Sequence, residues 1–250
     1  MKMLRDDMLL ALDPVRFSQS IGIDPDPWQA EVLRYEGKRV LLNCCRQSGK
    51  STTTATKALH TALYKPKSLI LCASPSLRQS QELFRKIRDD INAMKEAPRL
   101  LEDNKLSLTL ENYSRIVSLP GDQTTVRGYS GVTLVLLDEA AQVADEFYSA
   151  ILPMLMINKG QLIAMSTPFG KRGFFYDEWM NGGNDWTRIQ VKAQECPRMT
   201  EEQLEQQRRS MGDMFFRQEF LCEFTDTVEQ TFSFDSIQRA FSEDVEPLTF

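Results

Sequence analysis

Arg39-Val40-Leu41-Leu42-Asn43 runs into Cys44-Cys45-Arg46-Gln47-Ser48-Gly49-Lys50-Ser51, and then into Thr52-Thr53-Thr54-Ala55-Thr56-Lys57-Ala58-Leu59. An apolar strand, a loop and a helix-forming segment thus follow one another without a break. The loop fits the phosphate-gripping pattern G-x-x-x-x-G-K-[ST] at every position but the first, where Cys44 replaces glycine. The strand–loop–helix context separates such a match from chance. A helix N-terminus offers free backbone N–H groups and the positive end of its dipole, so main chain can hold a β-phosphate there. Arg46, Gln47, Ser48, Gly49, Lys50, Ser51 and Thr52 are therefore candidate nucleotide contacts. Lys50 is expected to reach the β- and γ-phosphates, and the Ser51 hydroxyl to ligate Mg²⁺. Without glycine at position 44, Cys44 must take a backbone conformation open to any residue.

A second pattern lies at Thr133-Leu134-Val135-Leu136-Leu137-Asp138-Glu139-Ala140. An apolar run ending in Asp-Glu is what a buried strand needs to present two carboxylates at its C-terminal edge. Open α/β sheets bind ligands at that edge. Asp138 is expected to hold Mg²⁺, and Glu139 to act as the base for attacking water. A solvated strand end is the bland alternative, and the upstream loop makes it the weaker one. A third strand ends in Ser166-Thr167-Pro168, where two hydroxyls can lie near a γ-phosphate. A plain turn would be the reading if it stood alone. Gln29 precedes Lys50 by about 20 residues. Its amide can donate and accept at once, so adenine recognition and helix capping both stay open; Trp28 beside it is assigned to the core.

The rest of the chain alternates strands with helices. Helices are expected over 3–21 (broken at Asp13-Pro14), from Pro27 towards Gly37, over 51–64, 77–94 and 145–157, and as two pieces within 200–224. Strands are expected at 40–43, 68–73, 106–110, 115–119, 132–137, 161–165 and 186–191. This alternation predicts an α/β fold, a P-loop NTPase with a mostly parallel sheet and helices on both faces. Boundaries fall at 1–36 (helical segment carrying Gln29), 37–195 (the ATPase core), 196–225 (a small helical lid or linker) and 226–250 (the start of a further linker).

Composition is that of a globular protein: 250 residues, 42% hydrophobic and 26% charged. No apolar run approaches a membrane span, and two acids precede any apolar stretch at the N-terminus, against a signal peptide. Five cysteines without C-x-x-C spacing and a single histidine, His60, argue against a zinc site and for reduced cytosolic thiols. The formal net charge of −5 neither marks nor excludes a nucleic-acid motor.

Trp28-Gln29, the loop 45–51, Leu134–Ala140, Ser166-Thr167-Pro168-Phe169-Gly170 and the stretch 211–224 together resemble the ordered motifs of the large terminase subunit of tailed phages. The arginine inside a variant phosphate loop is typical of that family, and the resemblance covers roughly residues 10–225. It implies a RecA-like ATPase that uses ATP and Mg²⁺ to drive double-stranded DNA into a viral procapsid. It further implies a homo-oligomeric ring when assembled, with a monomer as the alternative for the isolated chain. The portal protein and the small terminase subunit are the implied partners, in the host cytoplasm. The family's usual nuclease of the RNase H type is not expected here. After residue 225, Asp235, Glu243, Asp244 and Glu246 are too few and too poorly placed for metal binding.

A ring ATPase needs a cation on the departing γ-phosphate, often from a neighbouring subunit. Arg127 is the first candidate, with a surface salt bridge as its alternative, and Arg46 is the second. Lys171-Arg172 is the better candidate for coupling to DNA. Arg78, Arg85, Lys86 and Arg88 read as a solvated helix face with a Glu82–Lys86 i,i+4 pair. A helicase-like or remodelling P-loop ATPase is the alternative function, although it should carry a second motor domain. A non-catalytic DNA-binding module is the third reading, opposed by the intact Lys50, Ser51, Asp138 and Glu139.

Overall fold

The computed structural model describes residues 2–126 and 128–226. Eight strands are found there: β1 (Arg39–Cys44), β2 (Leu69–Ser74), β3 (Leu100–Asp103), β4 (Ser107–Leu110), β5 (Arg115–Pro120), β6 (Leu134–Asp138), β7 (Gln161–Ser166) and β8 (Thr187–Val191). They form one sheet in the order β3-β4-β5-β2-β6-β7-β1-β8. The six strands from β5 to β8 pair in parallel, and β3 and β4 add an antiparallel edge.

Ten helices accompany them: α1 (Lys2–Leu12), α2 (Pro14–Ser20), α3 (Pro27–Arg34), α4 (Lys50–Tyr64), α5 (Leu77–Ala93), α6 (Gln123–Val126), α7 (Asp145–Ile157), α8 (Gly173–Asn181), α9 (Glu201–Met211) and α10 (Asp213–Leu221). Period-two alternation divides the strand side chains between two cores. Val40, Leu42, Ile70, Leu136 and Ile163 pack with Ala58 and Leu59 of α4, Phe84 and Ile87 of α5, and Phe216 and Phe220 of α10. Leu41, Leu71, Val135, Leu137 and Leu162 pack on the other face with Phe147 and Ile151 of α7 and Phe175 of α8. A sheet covered on both sides needs strands that are apolar on both sides, and β6 is buried at all five positions.

Helix starts follow local chemistry. Asp13 caps α2 by accepting from Val15 N–H at 3.1 Å, and Pro14 sits where its missing N–H costs nothing. Ser76 and Gln79 form a reciprocal capping box at α5. Three elements depart from the sequence reading. Strand β3 has no apolar alternation and is held by pairing with β4. The short α6 lies between the strands expected at 115–119 and 132–137, where the sequence pattern predicts no element. Helix α8 buries Phe174 and Phe175 side by side, which breaks helical periodicity in sequence. Among the described residues, no helix is long and apolar enough to cross a membrane.

Candidate active site

Register fixes which strand ends meet. Asn43 of β1 lies opposite Ser166 of β7, and Asp138 of β6 lies opposite Met165. The phosphate loop, the Asp138-Glu139 pair and Ser166-Thr167 therefore emerge side by side at the C-terminal edge of the sheet, where such sheets take ligands.

Cys44 is still in β1, paired with Val191 of β8, and the Cys45 N–H donates to Val191 O at 2.9 Å. The positive φ angles of the loop fall later, at Gln47 (60°) and Gly49 (95°). Cys44 thus needs no glycine, as expected. The Arg46 N–H donates to Glu219 O of α10 at 2.9 Å, and the Arg46 guanidinium stands 3.7 Å from the Glu219 carboxylate. Gln29 is buried. Its Oε1 accepts from Asp26 N–H at 2.9 Å, capping α3, while its Nε2 donates to Ser48 O at 3.3 Å.

Lys50 opens α4, and its Nζ lies 3.6 Å from Glu139 Oε1. Burial works against the ammonium charge, but Glu139 and Asp138 outweigh it and hold Lys50 above the ordinary lysine range. The Ser51 hydroxyl donates to Asp138 Oδ2 at 3.0 Å, and the Glu139 N–H donates to Asp138 Oδ1 at 3.0 Å. Burial pushes the Asp138 carboxyl up and Glu139 adds to this, against the pull of Lys50 and the two hydrogen bonds. Glu139 itself sits at φ 50°, ψ 43°, a left-handed conformation that a non-glycine residue adopts at some cost.

Among the described residues, Asn43 Oδ1, Ser48 Oγ, Ser74 Oγ and Ser166 Oγ are buried without a hydrogen-bond partner. All four sit on the ends of β1, β2 and β7 or in the loop. Buried polar atoms are nearly always paired, so this edge suits a polar ligand. The buried Asp138 carboxylate beside the Ser51 hydroxyl forms a hard oxygen donor pair of the kind that could hold Mg²⁺.

Other expectations meet different surroundings. Lys86 is not paired with Glu82. Its Nζ donates to the Thr52 hydroxyl at 3.0 Å, and Glu82 pairs with Arg85 at 2.6 Å instead. The apolar face of α5 turns Lys86 towards α4, where a neutral hydroxyl takes it. Lys171 is ion-paired to Asp226 at 3.3 Å, and the Arg172 guanidinium lies 4.9 Å from the Phe169 ring centre. Arg127 lies outside the described residues, as does nearly all of 226–250. Sequence reading missed Arg198, which follows β8 and reaches the phosphate loop. Its signal is tertiary, since 150 residues separate it from Ser48.

Residues 41–239 match the family model described as "Terminase large subunit, T4likevirus-type, N-terminal". The large terminase of Thermus phage G20c is 29% identical over a 186-residue alignment that covers 67% of this chain and 38% of that protein. The chain therefore spans well under half the length of that relative. In fold it is similar to the large terminase ATPase domain of Thermus phage P74-26, with a TM-score of 0.74 at 23% identity over 84% of this chain and 98% of that one. The large terminase of the thermophilic bacteriophage D6E in complex with ATP-gamma-S gives a TM-score of 0.64 at 14% identity, covering 80% of this chain and 52% of that one. The P-loop, RecA-like architecture expected from the sequence agrees with these neighbours. A match over most of the chain, on the fold and motif order described above, sets aside the helicase-like reading: this chain belongs to the family of terminase large-subunit N-terminal domains.

Proposed function

We propose that this chain binds ATP at the C-terminal edge of its sheet and hydrolyses it to drive double-stranded DNA into a viral procapsid. The observation that carries the proposal is the convergence of two pairs, Lys50 with Glu139 and Ser51 with Asp138, from motifs almost 90 residues apart. In this reading the loop N–H groups and Lys50 take the β- and γ-phosphates. Ser51 and Asp138 would hold Mg²⁺, which neutralises charge on those phosphates. Phosphate competes with Glu139 for Lys50, so nucleotide binding frees the Glu139 carboxylate to accept a proton from the attacking water. Ser166 and Thr167 stand at the γ-phosphate end, and Thr52 and Gln47 complete the loop contacts. Gln29 acts on the site through the loop, by donating to Ser48 O.

Arg127 is proposed as the cation on the departing γ-phosphate, supplied to a neighbouring subunit of a ring, with Arg46 inside the phosphate loop as the second choice. The portal protein and the small terminase subunit are proposed partners, and the host-cell cytoplasm at the procapsid portal the location. The test compares ATP turnover and ATP affinity of the wild type with Glu139→Gln under assembly conditions. Turnover is expected to fall by about 100-fold or more, the scale of general-base loss, with affinity nearly unchanged. Equal turnover in the two proteins would sink the reading.

A further inference from the structure

Three distant segments meet at one backbone oxygen. Ser48 O accepts from Gln29 Nε2 at 3.3 Å and from Arg198 Nη2 at 3.0 Å. Asp26 stands behind both donors. Its N–H holds Gln29 Oε1, and its carboxylate takes the Arg198 guanidinium as a fork, at 3.2 Å from Nη1 and 2.8 Å from Nη2. Two donors use both lone pairs of the Ser48 carbonyl. The carbonyl of Ser48 and the N–H of Gly49 share one planar trans peptide and point in opposite directions. Fixing the oxygen towards Arg198 and Gln29 therefore fixes the Gly49 N–H away from them.

We propose that Arg198 is a positioning residue for nucleotide binding: through Ser48 O it holds the Ser48–Gly49 peptide in the orientation that presents the loop N–H to phosphate. It also links the loop to the C-terminal helices. Arg198 lies just before Thr200, the N-cap of α9. Two further hydrogen bonds tie the same region to the loop, from Arg46 N–H to Glu219 O and from Asn43 Nδ2 to Cys222 O at 3.0 Å. A change in the loop on binding phosphate is thereby passed to α9 and α10. This inference rests on the ATP reading above.

The test uses the full chain with Arg198→Ala and Arg198→Lys. ATP affinity is measured by calorimetric titration, and thermal midpoints are recorded with and without ATP. Arg198→Ala loses both the pair with Asp26, half-exposed on the arginine side, and the hydrogen bond to Ser48 O, so the ATP-free midpoint should fall by roughly 2–8 °C. Arg198→Ala is expected to weaken ATP binding about fivefold or more, with kcat at saturating ATP kept, because no reacting atom is touched. Arg198→Lys should lower the ATP-free midpoint less than the alanine variant yet bind ATP as weakly. One ammonium can serve Asp26 but lacks the planar fork that reaches Ser48 O as well. Hydrogen exchange in α9 and α10 should slow on ATP addition in the wild type and less so in both variants. Wild-type affinity in Arg198→Ala overturns the inference alone, as does wild-type affinity in Arg198→Lys. A wild type that binds no ATP overturns both this and the proposed function.

Discussion

Replacing Gly49 by alanine tests the phosphate loop through two separable penalties. The first is conformational. Gly49 sits at φ 95°, where an L-residue pays about 1–2 kcal/mol. The second is steric, because a Cβ on Gly49 would stand 2.6 Å from Gln29 Nε2. That atom ends a flexible side chain and can retreat, but only by leaving Ser48 O, at a cost of about 1 kcal/mol. The sum is about 2–3 kcal/mol, which for a chain of this size lowers the thermal midpoint by roughly 4–12 °C. Gly22→Ala provides the control. Gly22 has φ 85° with nothing within 4 Å of its would-be Cβ, so it carries the first penalty only. Adding Gln29→Ala to Gly49→Ala should remove the clash and leave the conformational cost, giving a coupling of about 1 kcal/mol between the two sites. Urea unfolding of the wild type, Gly22→Ala, Gly49→Ala, Gln29→Ala and the double variant measures each term. Gly49→Ala as stable as wild type, or no more destabilised than Gly22→Ala, would refute the close approach of Gln29 to the loop.

Two further substitutions test the packing around the site. Asp90 is buried, accepts from the Thr56 hydroxyl at 2.8 Å, and has its carboxyl pushed up to about 6, first by burial and further by Asp89, against Thr56 and Lys86. From about pH 4 to 6 the unfolded chain releases this proton while the folded one keeps it, so folding stability falls as pH rises, by about 3 kcal/mol in all. Asp90→Asn should equal the wild type near pH 4 and exceed it by up to that amount above pH 6.5. A difference that does not change with pH in denaturant titrations would contradict this. Phe175→Ala empties a fully buried position beneath the sheet face opposite α4, with an expected loss of about 3–5 kcal/mol in the same titrations; a loss under 1 kcal/mol would mean that α8 is not packed there.

Much of the fold was legible because β1, β2, β6 and β7 are buried on both faces and read as apolar runs, each bounded by a turn or a polar end. Asp138-Glu139 was legible for a related reason: two acids at the end of such a run have to face an edge. Helix α8 was not, because Phe174 and Phe175 fill adjacent positions instead of an i, i+3, i+4 stripe. Lys86 misled because i,i+4 charge spacing describes an isolated helix. In the sheet-bound helix, a hydroxyl on α4 competes for the ammonium and wins. Arg198 carried no local pattern at all.

The missing first glycine also has its explanation in pairing that sequence does not display. Cys44 is the last residue of β1 held against β8, opposite Val191, and Cys45 donates to the same Val191 carbonyl. That edge keeps the backbone extended through the position where the usual pattern places a glycine. The turn is displaced to Gln47 and Gly49, and its geometry comes to depend on what holds the Ser48 carbonyl between them. A glycine at the first position would supply conformational freedom the chain does not use there. The freedom is needed at Gly49, where an added methyl would meet Gln29.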